Sequence, residues 1–248
     1  MSKDFLVVSE EFYSIQGEGP SVGKPAVFMR LSGCNLRCQG FSFKDPHTGE
    51  HLGCDTTHVW RRGRKKTFFE IFADWHQQGW LEKLKKGAHL VITGGEPMLQ
   101  QPGIIAFLQC LDHELNRVVY VEMETNATLF YSEALLHRIQ QFNVSPKLKN
   151  SGELKSKTIK PDILSGLAKR QNVIFKFVIV NDADIFEVLE DFTVPYNIAH
   201  SRVWLMPEGG TLSAISAKLP KVMQLAKQYQ MNVSPRLHIL TWDKATGV

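Results

Sequence analysis

Short apolar runs alternate with amphipathic stretches along most of this chain. The apolar runs predict buried strands, and the amphipathic stretches between them predict helices that pack one face on a sheet. The predicted strands are residues 26–31, 89–92, 118–123, 143–144, 173–180 and 203–205. The predicted helices are residues 68–85, 104–115, 132–141, 163–169, 185–191 and 212–228, and Pro220 is expected to kink the last one or to start a fresh turn in it.

Strand–helix alternation of this kind predicts an α/β fold with a parallel sheet and helical crossovers. About six such units form either a partial or full βα barrel or an open doubly wound sheet, and both place their chemistry at the C-terminal ends of the strands. No repeat, low-complexity tract or linker interrupts the pattern, so we expect residues 1–248 to form a single domain.

Distinctive residues follow five of the six predicted strands at this end. They are Cys34, Thr93-Gly-Gly-Glu-Pro97, Glu124-Thr-Asn126, Ser145-Pro-Lys147 and Met206-Pro-Glu-Gly209. Because parallel strands end at one rim of the sheet, these motifs are expected to meet at one site.

Composition narrows the functional classes. A hydrophobic fraction of 43% supports a sizeable core, and a net charge of +4 suits an anionic small substrate but is too weak to indicate nucleic-acid binding. The first residues lack the apolar stretch of a signal peptide, and no run is long enough to span a membrane. Four cysteines without an export signal indicate thiols or metal ligands in a reducing, cytoplasmic compartment.

Three of these cysteines lie close in sequence, as Cys34-x3-Cys38 and then Cys54. Three thiolates hold a 4Fe–4S cluster with one iron left open for chemistry. A structural zinc site is the alternative, because Cys54-x3-His58 completes a Cys3His set, and His47 or His51 would serve equally. Cys110 lies in an apolar helical stretch and is expected in the core.

Gly94-Gly95-Glu96-Pro97 carries a second chemical signal. Glycines let backbone carbonyls approach an ammonium group, and a carboxylate nearby neutralises it. Alone, the segment is also compatible with an ordinary turn from a strand into a helix that has proline in its first turn. One βα unit after a cysteine group, the binding interpretation is favoured.

The two motifs together resemble the radical S-adenosylmethionine superfamily, in which Gly-Gly-Glu-Pro binds the methionyl amino group. The usual cysteine pattern there is Cys-x3-Cys-x2-Cys. Phe41 occupies the third position here and cannot bind iron. We therefore expect Cys54 to be the third ligand and residues 39–53 to be an insertion.

A more specific resemblance rests on further segments in order. They are Phe12-Tyr-Ser-Ile-Gln-Gly-Glu-Gly19, Pro25-Ala-Val-Phe-Met-Arg-Leu-Ser-Gly-Cys34, Cys54-Asp-Thr56, Val91-Ile-Thr-Gly-Gly-Glu-Pro97, Glu124-Thr125 and Val144-Ser-Pro-Lys147. Together they resemble the 7-carboxy-7-deazaguanine synthase family over about residues 12–147. The C-terminal part resembles it less, with residues 206–209 and His238 as its anchors.

The resemblance implies a partial (β/α) barrel of the radical S-adenosylmethionine type. It also implies conversion of 6-carboxy-5,6,7,8-tetrahydropterin to 7-carboxy-7-deazaguanine with loss of ammonia. The expected cofactors are a 4Fe–4S cluster, S-adenosylmethionine and Mg2+, which carry the radical chemistry without a catalytic side chain. Expected partners are the pterin substrate, an electron donor such as flavodoxin or ferredoxin, and a second copy in a homodimer, with no membrane and no nucleic acid.

The site residues implied by the resemblance fall into four groups. Cluster ligands are Cys34, Cys38 and Cys54; the Mg2+ ligand is Thr56; S-adenosylmethionine contacts are Gly95, Glu96, Glu124, Ser145, Pro146 and Lys147; pterin contacts are Ile15, Gln16, Gly17, Arg30, Thr93 and His238. Arg30 suits the substrate carboxylate because a guanidinium binds a carboxylate bidentately.

Each assignment has a structural alternative. Gln16 and Gly17 are also typical of a turn, Thr56 of a helix cap, and His238 of a core histidine. Residues 145–147 are compatible with a plain strand exit, and Glu124 with a role in shaping the rim. The basic run Arg61-Arg-Gly-Arg-Lys-Lys66 is expected to be a solvated loop.

Two other functions remain open from the sequence. A glycyl-radical activase would share the cluster and the Gly-Gly-Glu-Pro segment, and Gln16 and Thr56 argue against it. A non-catalytic zinc module would use Cys34, Cys38, Cys54 and His58, and the motifs along the rim argue against that.

Overall fold

The computed structural model describes residues 4–45 and 48–243 together with Ala245 and Gly247. Its strands are β1 (Phe5–Ile15), β2 (Pro25–Leu31), β3 (Phe43–Lys44), β4 (His51–Gly53), β5 (Arg64–Thr67), β6 (His89–Gly94), β7 (Val121–Thr125), β8 (Gln141–Val144), β9 (Val173–Ile179), β10 (Val203–Pro207) and β11 (Asn232–Val233). Its α-helices are α1 (Thr57–Trp60), α2 (Phe68–Gln77), α3 (Trp80–Lys85), α4 (Gln101–Leu115), α5 (Glu133–Arg138), α6 (Lys155–Thr158), α7 (Pro161–Ala168), α8 (Asp184–Val188), α9 (Val194–Tyr196), α10 (Leu212–Tyr229) and α11 (Leu237–Trp242).

Nine of these strands form one sheet in the order β11-β10-β9-β8-β7-β6-β2-β1-β5. From β2 to β11 all neighbours are parallel, whereas β1 pairs antiparallel with both β2 and β5. Since each parallel strand adds beside the one before it, the strands share one direction and their C-terminal ends share one rim. The α/β prediction with a parallel sheet is therefore confirmed, with β11 as a seventh parallel strand beside the six predicted ones, and the arrangement is compatible with a partial barrel.

The core consists of two layers of unequal size. The larger layer lies between the sheet and the helices, and Trp75, Phe107, Phe142 and Phe175 are fully buried in it. Each such side chain contributes about 2–3 kcal/mol by its removal from water. The opposite face of the sheet has only a small apolar cluster around Phe28. The rest of that face mixes polar side chains with apolar ones such as Ile174 and Met206.

Two helix predictions need correction. The stretch predicted as one helix over residues 68–85 is two helices, α2 and α3, because Gly79 between them has φ of 68° in the left-handed region. The predicted fresh turn at Pro220 is wrong, because α10 continues through it. Helix α2 begins as the sequence suggests, with a capping box between Thr67 and Glu70.

Strand β1 was not predicted, because Glu10 and Glu11 interrupt its apolar residues. Both glutamates are neutralised in the fold: Glu10 pairs with Arg30 at 2.7 Å, and Glu11 pairs with Lys66. Lys66 is buried on edge strand β5, so the basic run is not wholly a solvated loop. Because Lys66 is paired with Glu11, its positive charge is not available to an anionic partner.

The insertion predicted over residues 39–53 forms a hairpin from β3 and β4. Ser42 donates backbone and side-chain hydrogen bonds to Glu208 Oε1 at 2.9 and 2.6 Å, which fastens the hairpin to the end of β10. His47, one alternative zinc ligand, lies outside the described residues.

Cys110 is exposed on α4, so its predicted core position is wrong. Among the described residues, no helix has both the length and the apolarity needed to cross a membrane.

Candidate active site

A cavity of about 300 Å³ opens at the C-terminal ends of the parallel strands. Most of the residues predicted for the site line it: Ile15, Gln16, Gly17, Arg30, Cys34, Cys38, Cys54, Thr56, Thr93, Gly95, Glu124, Ser145, Lys147 and His238. Met206 and Gly209 from the end of β10 also line it. The five motifs therefore meet around one space, as the parallel topology predicted.

The three clustered cysteines have free thiols that reach this cavity. Mainly because of burial, the pKa of Cys34 is raised to about 11 and that of Cys38 to about 12, with Cys54 also raising and Lys147 partly lowering each pKa. Buried thiols of this kind are protonated until a metal ion displaces the proton. The donor set therefore fits a 4Fe–4S cluster bound through three cysteines.

The arrangement fits a single zinc ion less well. Within residues 4–45 and 48–243, no group of three or more His, Cys, Asp or Glu side chains is placed to hold one metal ion. His58, the proposed fourth zinc ligand, stacks on Phe43 and is absent from the cavity lining. His51 Nε2 lies 2.8 Å from the Gln39 carbonyl oxygen. In a 4Fe–4S cluster each cysteine binds a different iron, so the three cysteine thiols need not meet at one atom as zinc ligands must.

The Gly-Gly-Glu-Pro segment packs directly on the loop that carries Cys34. Gly94 has φ of 155°, and a β carbon there would overlap the Leu31 carbonyl oxygen. Glu96 N donates to Gly33 O at 2.8 Å. Glycine is required because the two backbones touch, which places the half-buried Gly95 beside Cys34.

Glu96 does not face the cavity, although it was predicted to contact S-adenosylmethionine. Its carboxylate is 1% exposed and accepts hydrogen bonds from Thr125 Oγ1 at 2.8 Å, Asn126 N at 2.7 Å and Met98 N at 3.0 Å. Burial raises the pKa of Glu96, while those N–H donors lower it. The side chain joins the end of β6 to the end of β7 and so shapes the rim.

Lys147 supplies a positive charge that acts on Cys34 and Cys38. Its Nζ donates to the carbonyl oxygen and to Oγ of Ser145, each at 3.0 Å. Pro146, between them, is not part of the lining. A lysine held this way at the cavity wall suits a carboxylate ligand.

On the other side of the cavity, Arg30 and Thr93 are engaged with carboxylates. Arg30 Nε donates to Glu10, its cross-strand neighbour on β1, and Thr93 Oγ1 donates to Glu124 Oε2 at 2.9 Å. Arg30 lies on the same face of β2 as Phe28, as the alternation predicted, and both line the cavity.

The Gln16 side chain is turned away from a ligand. Its Oε1 accepts from Glu18 N at 3.2 Å, and its Nε2 donates to Glu122 at 3.4 Å. Gly17 has no room for a side chain, because its β carbon would lie 2.9 Å from His238 N and overlap the imidazole. The loop therefore presents its backbone, rather than the glutamine amide, to the cavity.

Sequence reasoning missed a group of buried charges beside this loop. Glu18 pairs with Lys176 and with Arg236, and Arg236 also pairs with Asp55 at 2.6 Å. Burial opposes ionisation of Glu18, but Lys176 and Arg236 hold its pKa well below its usual range. Glu18 stood within the quoted Gln-Gly-Glu-Gly segment, whereas no local pattern marked Lys176 or Arg236.

His238 lies 4.0 Å from Glu18 through its Nε2 atom. Burial lowers the pKa of His238 to about 4 and outweighs the attraction of Glu18. The imidazole is therefore neutral at neutral pH and available as a hydrogen-bonding group.

Thr56 precedes α1 but makes no capping hydrogen bond with its side chain. Its Oγ1 lies 3.4 Å from Cys54 Sγ and lines the cavity. Thr56 therefore occupies the N-cap position of α1 without capping it through its side chain, and its hydroxyl contacts the proposed cluster ligand Cys54 instead.

Relatives with assigned names support one family. A 7-carboxy-7-deazaguanine synthase of Pyrobaculum aerophilum is 34% identical over 242 residues, which cover 97% of this chain and 96% of that protein. The synthase of Halobacterium salinarum is 30% identical over 263 residues, with coverages of 97% and 91%. No protein-family model matches the chain.

The fold has a counterpart among solved structures. The crystal structure of QueE from Escherichia coli matches with a TM-score of 0.61 at 21% identity, covering 92% of each chain. That likeness supports the radical S-adenosylmethionine fold. Together with the near full-length sequence similarity, it places this chain in the 7-carboxy-7-deazaguanine synthase family of radical S-adenosylmethionine enzymes.

Proposed function

We propose that this cavity converts 6-carboxy-5,6,7,8-tetrahydropterin to 7-carboxy-7-deazaguanine with loss of ammonia. The observation that carries the proposal is the convergence of three free thiols, the Gly94-Gly95 backbone and a polar, charged wall around one space. Its volume of about 300 Å³ is at the lower end of small-molecule sites. The names of the relatives support the same reaction.

In this proposal Cys34, Cys38 and Cys54 hold the cluster. When bound, the reduced cluster and S-adenosylmethionine supply the radical that removes a hydrogen atom from the substrate. Gly95 offers its backbone to the methionyl amino group, and Lys147 with Ser145 neutralises the methionyl carboxylate. Gly95 therefore contacts the cofactor through its backbone, and the buried Glu96 side chain contributes by joining the end of β6 to the end of β7.

The pterin would lie against the opposite wall. The backbone of Ile15, Gln16 and Gly17 offers hydrogen-bonding groups to the ring edge, and His238 closes that side. Arg30 keeps its terminal guanidinium nitrogens for the substrate carboxylate, since its Nε is the atom bonded to Glu10. Glu124 accepts a hydrogen bond from Thr93 and lies 3.9 Å from Lys176, and these contacts hold this wall in place.

Thr56 is the proposed protein ligand of a Mg2+ ion. The ion would take its other oxygens from water and from the substrate carboxylate, since Mg2+ usually keeps several waters and few protein ligands. The Thr56 side chain lines the cavity and makes no capping hydrogen bond to the backbone of α1, which supports this role.

The cluster needs an external reductant, and we infer a small acidic electron carrier such as flavodoxin or ferredoxin. Arg37 and Lys149 are exposed, and Lys157 is 60% exposed whereas its partner Glu153, bonded to Cys38 N at 3.3 Å, is 7% exposed. Cations therefore dominate the surface outside the cysteine loop. Lys149→Glu with Lys157→Glu should slow turnover with the protein donor and leave turnover with dithionite unchanged.

A homodimer, a single domain over residues 1–248 and a cytoplasmic setting complete the proposal. The unpaired cysteines support a reducing compartment, and sedimentation of the holoenzyme tests the dimer.

The central experiment is an anaerobic assay of the reconstituted protein with dithionite, S-adenosylmethionine, Mg2+ and 6-carboxytetrahydropterin. Formation of 7-carboxy-7-deazaguanine, detected by mass spectrometry, supports the proposal. Accumulation of 5′-deoxyadenosine without that product would retain the radical site and overturn the substrate assignment.

A further inference from the structure

Arg236, immediately before α11, contacts three loops through its guanidinium group. Nη2 donates to Asp55 Oδ2 at 2.6 Å, Nε donates to Glu18 Oε1 at 3.1 Å, and Nη1 donates to the Gly209 carbonyl oxygen at 2.6 Å. The residue is 9% exposed. A planar fork satisfies three acceptors in different directions, which a lysine ammonium on a flexible stem does not reproduce.

The three loops carry different parts of the proposed site. Asp55 lies between Cys54 and Thr56, the proposed cluster and Mg2+ ligands. Glu18 follows Gly17 in the loop that faces the pterin. Arg236 therefore joins the substrate loop to the turn that bears the metal ligands, although these are distant in sequence.

The backbone around Arg236 shows that this position is held firmly. Arg236 has φ of 57°, a left-handed conformation that costs a residue with a β carbon about 1–2 kcal/mol. Its neighbours tie the segment down: Gly19 N donates to Ser234 Oγ at 3.1 Å, and Leu237 N donates to Gly17 O at 2.9 Å. The strained conformation is thus maintained by contacts with the substrate loop itself.

The charge of Arg236 makes its link between Glu18 and Asp55 specific. Glu18 has a second cationic partner in Lys176, but within the part of the chain that the structure describes, Arg236 is the side chain that hydrogen-bonds the Asp55 carboxylate. Removing the guanidinium would leave the half-buried Asp55 carboxylate without its hydrogen-bonded cation, and the turn would move to hydrate it.

We propose that Arg236 is a positioning residue that fixes the Cys54-Asp55-Thr56 turn relative to the substrate loop. The inference rests on the proposed function for its catalytic consequence. Arg236 also lines the cavity, but all three of its guanidinium nitrogens are bonded to protein groups, so in this role it acts through Glu18 and Asp55. It sets the separation between the Thr56 hydroxyl and the substrate wall, so that one substrate carboxylate reaches both Arg30 and the Mg2+ ion.

The test begins with hydrogen exchange on the anaerobically reconstituted holoenzyme. Arg236→Gln should raise amide exchange about tenfold or more in both residues 16–19 and residues 54–57. The matched control is Arg202→Gln, since Arg202 is also an anchoring arginine but binds the carbonyl oxygens of Ala168, Arg170 and Val173, away from the cavity. That control should leave both segments unchanged.

Kinetics then separate positioning from general stability. Arg236→Gln and Asp55→Asn should each raise the pterin KM and the Mg2+ half-saturation concentration about tenfold, with a smaller change in kcat, and the double variant should be no worse than either single variant. Additive effects, or unchanged exchange in residues 54–57, would overturn the inference. If the wild-type protein makes no deazaguanine product, the proposed function fails, while the exchange measurement still decides the link.

Discussion

Gly95 lies so close to Gly33 that a β carbon on Gly95 would overlap the Gly33 carbonyl oxygen. The same added carbon would lie 2.7 Å from Cβ of Cys34. The loop after β6 and the cysteine loop after β2 are thus packed backbone to backbone. This contact places the proposed cofactor-binding peptide beside the first proposed cluster ligand.

Gly95→Ala should therefore separate the two loops. We expect S-adenosylmethionine affinity to fall at least about tenfold and the free energy of unfolding to fall by about 1–3 kcal/mol, because the overlap is with backbone that cannot rotate away. Equilibrium binding and denaturant unfolding measure the two effects. The control is Gly166→Ala in α7, where nothing lies within 4 Å of the added carbon and a gain of about 0.5–1 kcal/mol is expected. Wild-type affinity in Gly95→Ala would refute the role of this contact.

Cys54→Ala should abolish the cluster, because it removes one of the three thiolates proposed to bind the 4Fe–4S cluster. Phe41 occupies the usual third position of the cysteine motif and also lines the cavity, so Phe41→Leu is the matched control and should keep its iron. Iron and sulfide content with the visible absorption of the reconstituted proteins measures the difference. A full cluster in Cys54→Ala would remove Cys54 from the ligand set.

Glu96→Gln should reduce stability by about 1–3 kcal/mol, since the amide NH2 would face either the Asn126 N–H or the Met98 N–H, and neither backbone group can accept a hydrogen bond. Urea unfolding measures the loss. Glu133→Gln, at a side chain 79% exposed, should change stability by less than about 0.5 kcal/mol. If Glu96→Gln is as stable as the wild type, the carboxylate does not join the strand ends as described.

Thr56→Val keeps the shape of the side chain and removes its hydroxyl. We expect the Mg2+ half-saturation concentration to rise about tenfold and S-adenosylmethionine affinity to stay unchanged, because the hydroxyl is proposed to meet only the ion. Thr56→Ser restores an oxygen and should recover most of the metal response in the same titration. An unaltered response in Thr56→Val would exclude Thr56 from the metal site.

The neutral state of His238 gives a pH prediction. Burial lowers its pKa to about 4, below the ordinary value of about 6.5, so the folded state binds fewer protons than the unfolded state between these values. Stability contributed by His238 is therefore present above about pH 6.5 and is lost as the pH falls towards 4. Nuclear magnetic resonance titration, with His238→Gln to assign the imidazole signal, should give a midpoint near 4. A midpoint near 6.5 would show that the ring is not desolvated.

Local patterns were sufficient for the parts of this protein that act over short stretches of chain. The short apolar runs predicted six parallel strands, and parallel topology then required the motifs after Gly33, Thr93 and Ser145 to meet. The family resemblance supplied the chemistry of the three cysteines. Strand β1 was not predicted, because Glu10 and Glu11 interrupt its apolar pattern and are neutralised only by partners on other strands.

The sequence by itself determined the α/β class, the rim on which the site lies and a set of site residues most of which line the cavity, because strand periodicity and strand-end motifs are local properties. Tertiary structure alone decided the direction of the Glu96 carboxylate, the docking of the 39–53 hairpin and the link from Glu18 to Arg236. Those two residues are 218 positions apart, and a pair of buried charges is recognisable only when folding has removed both from water.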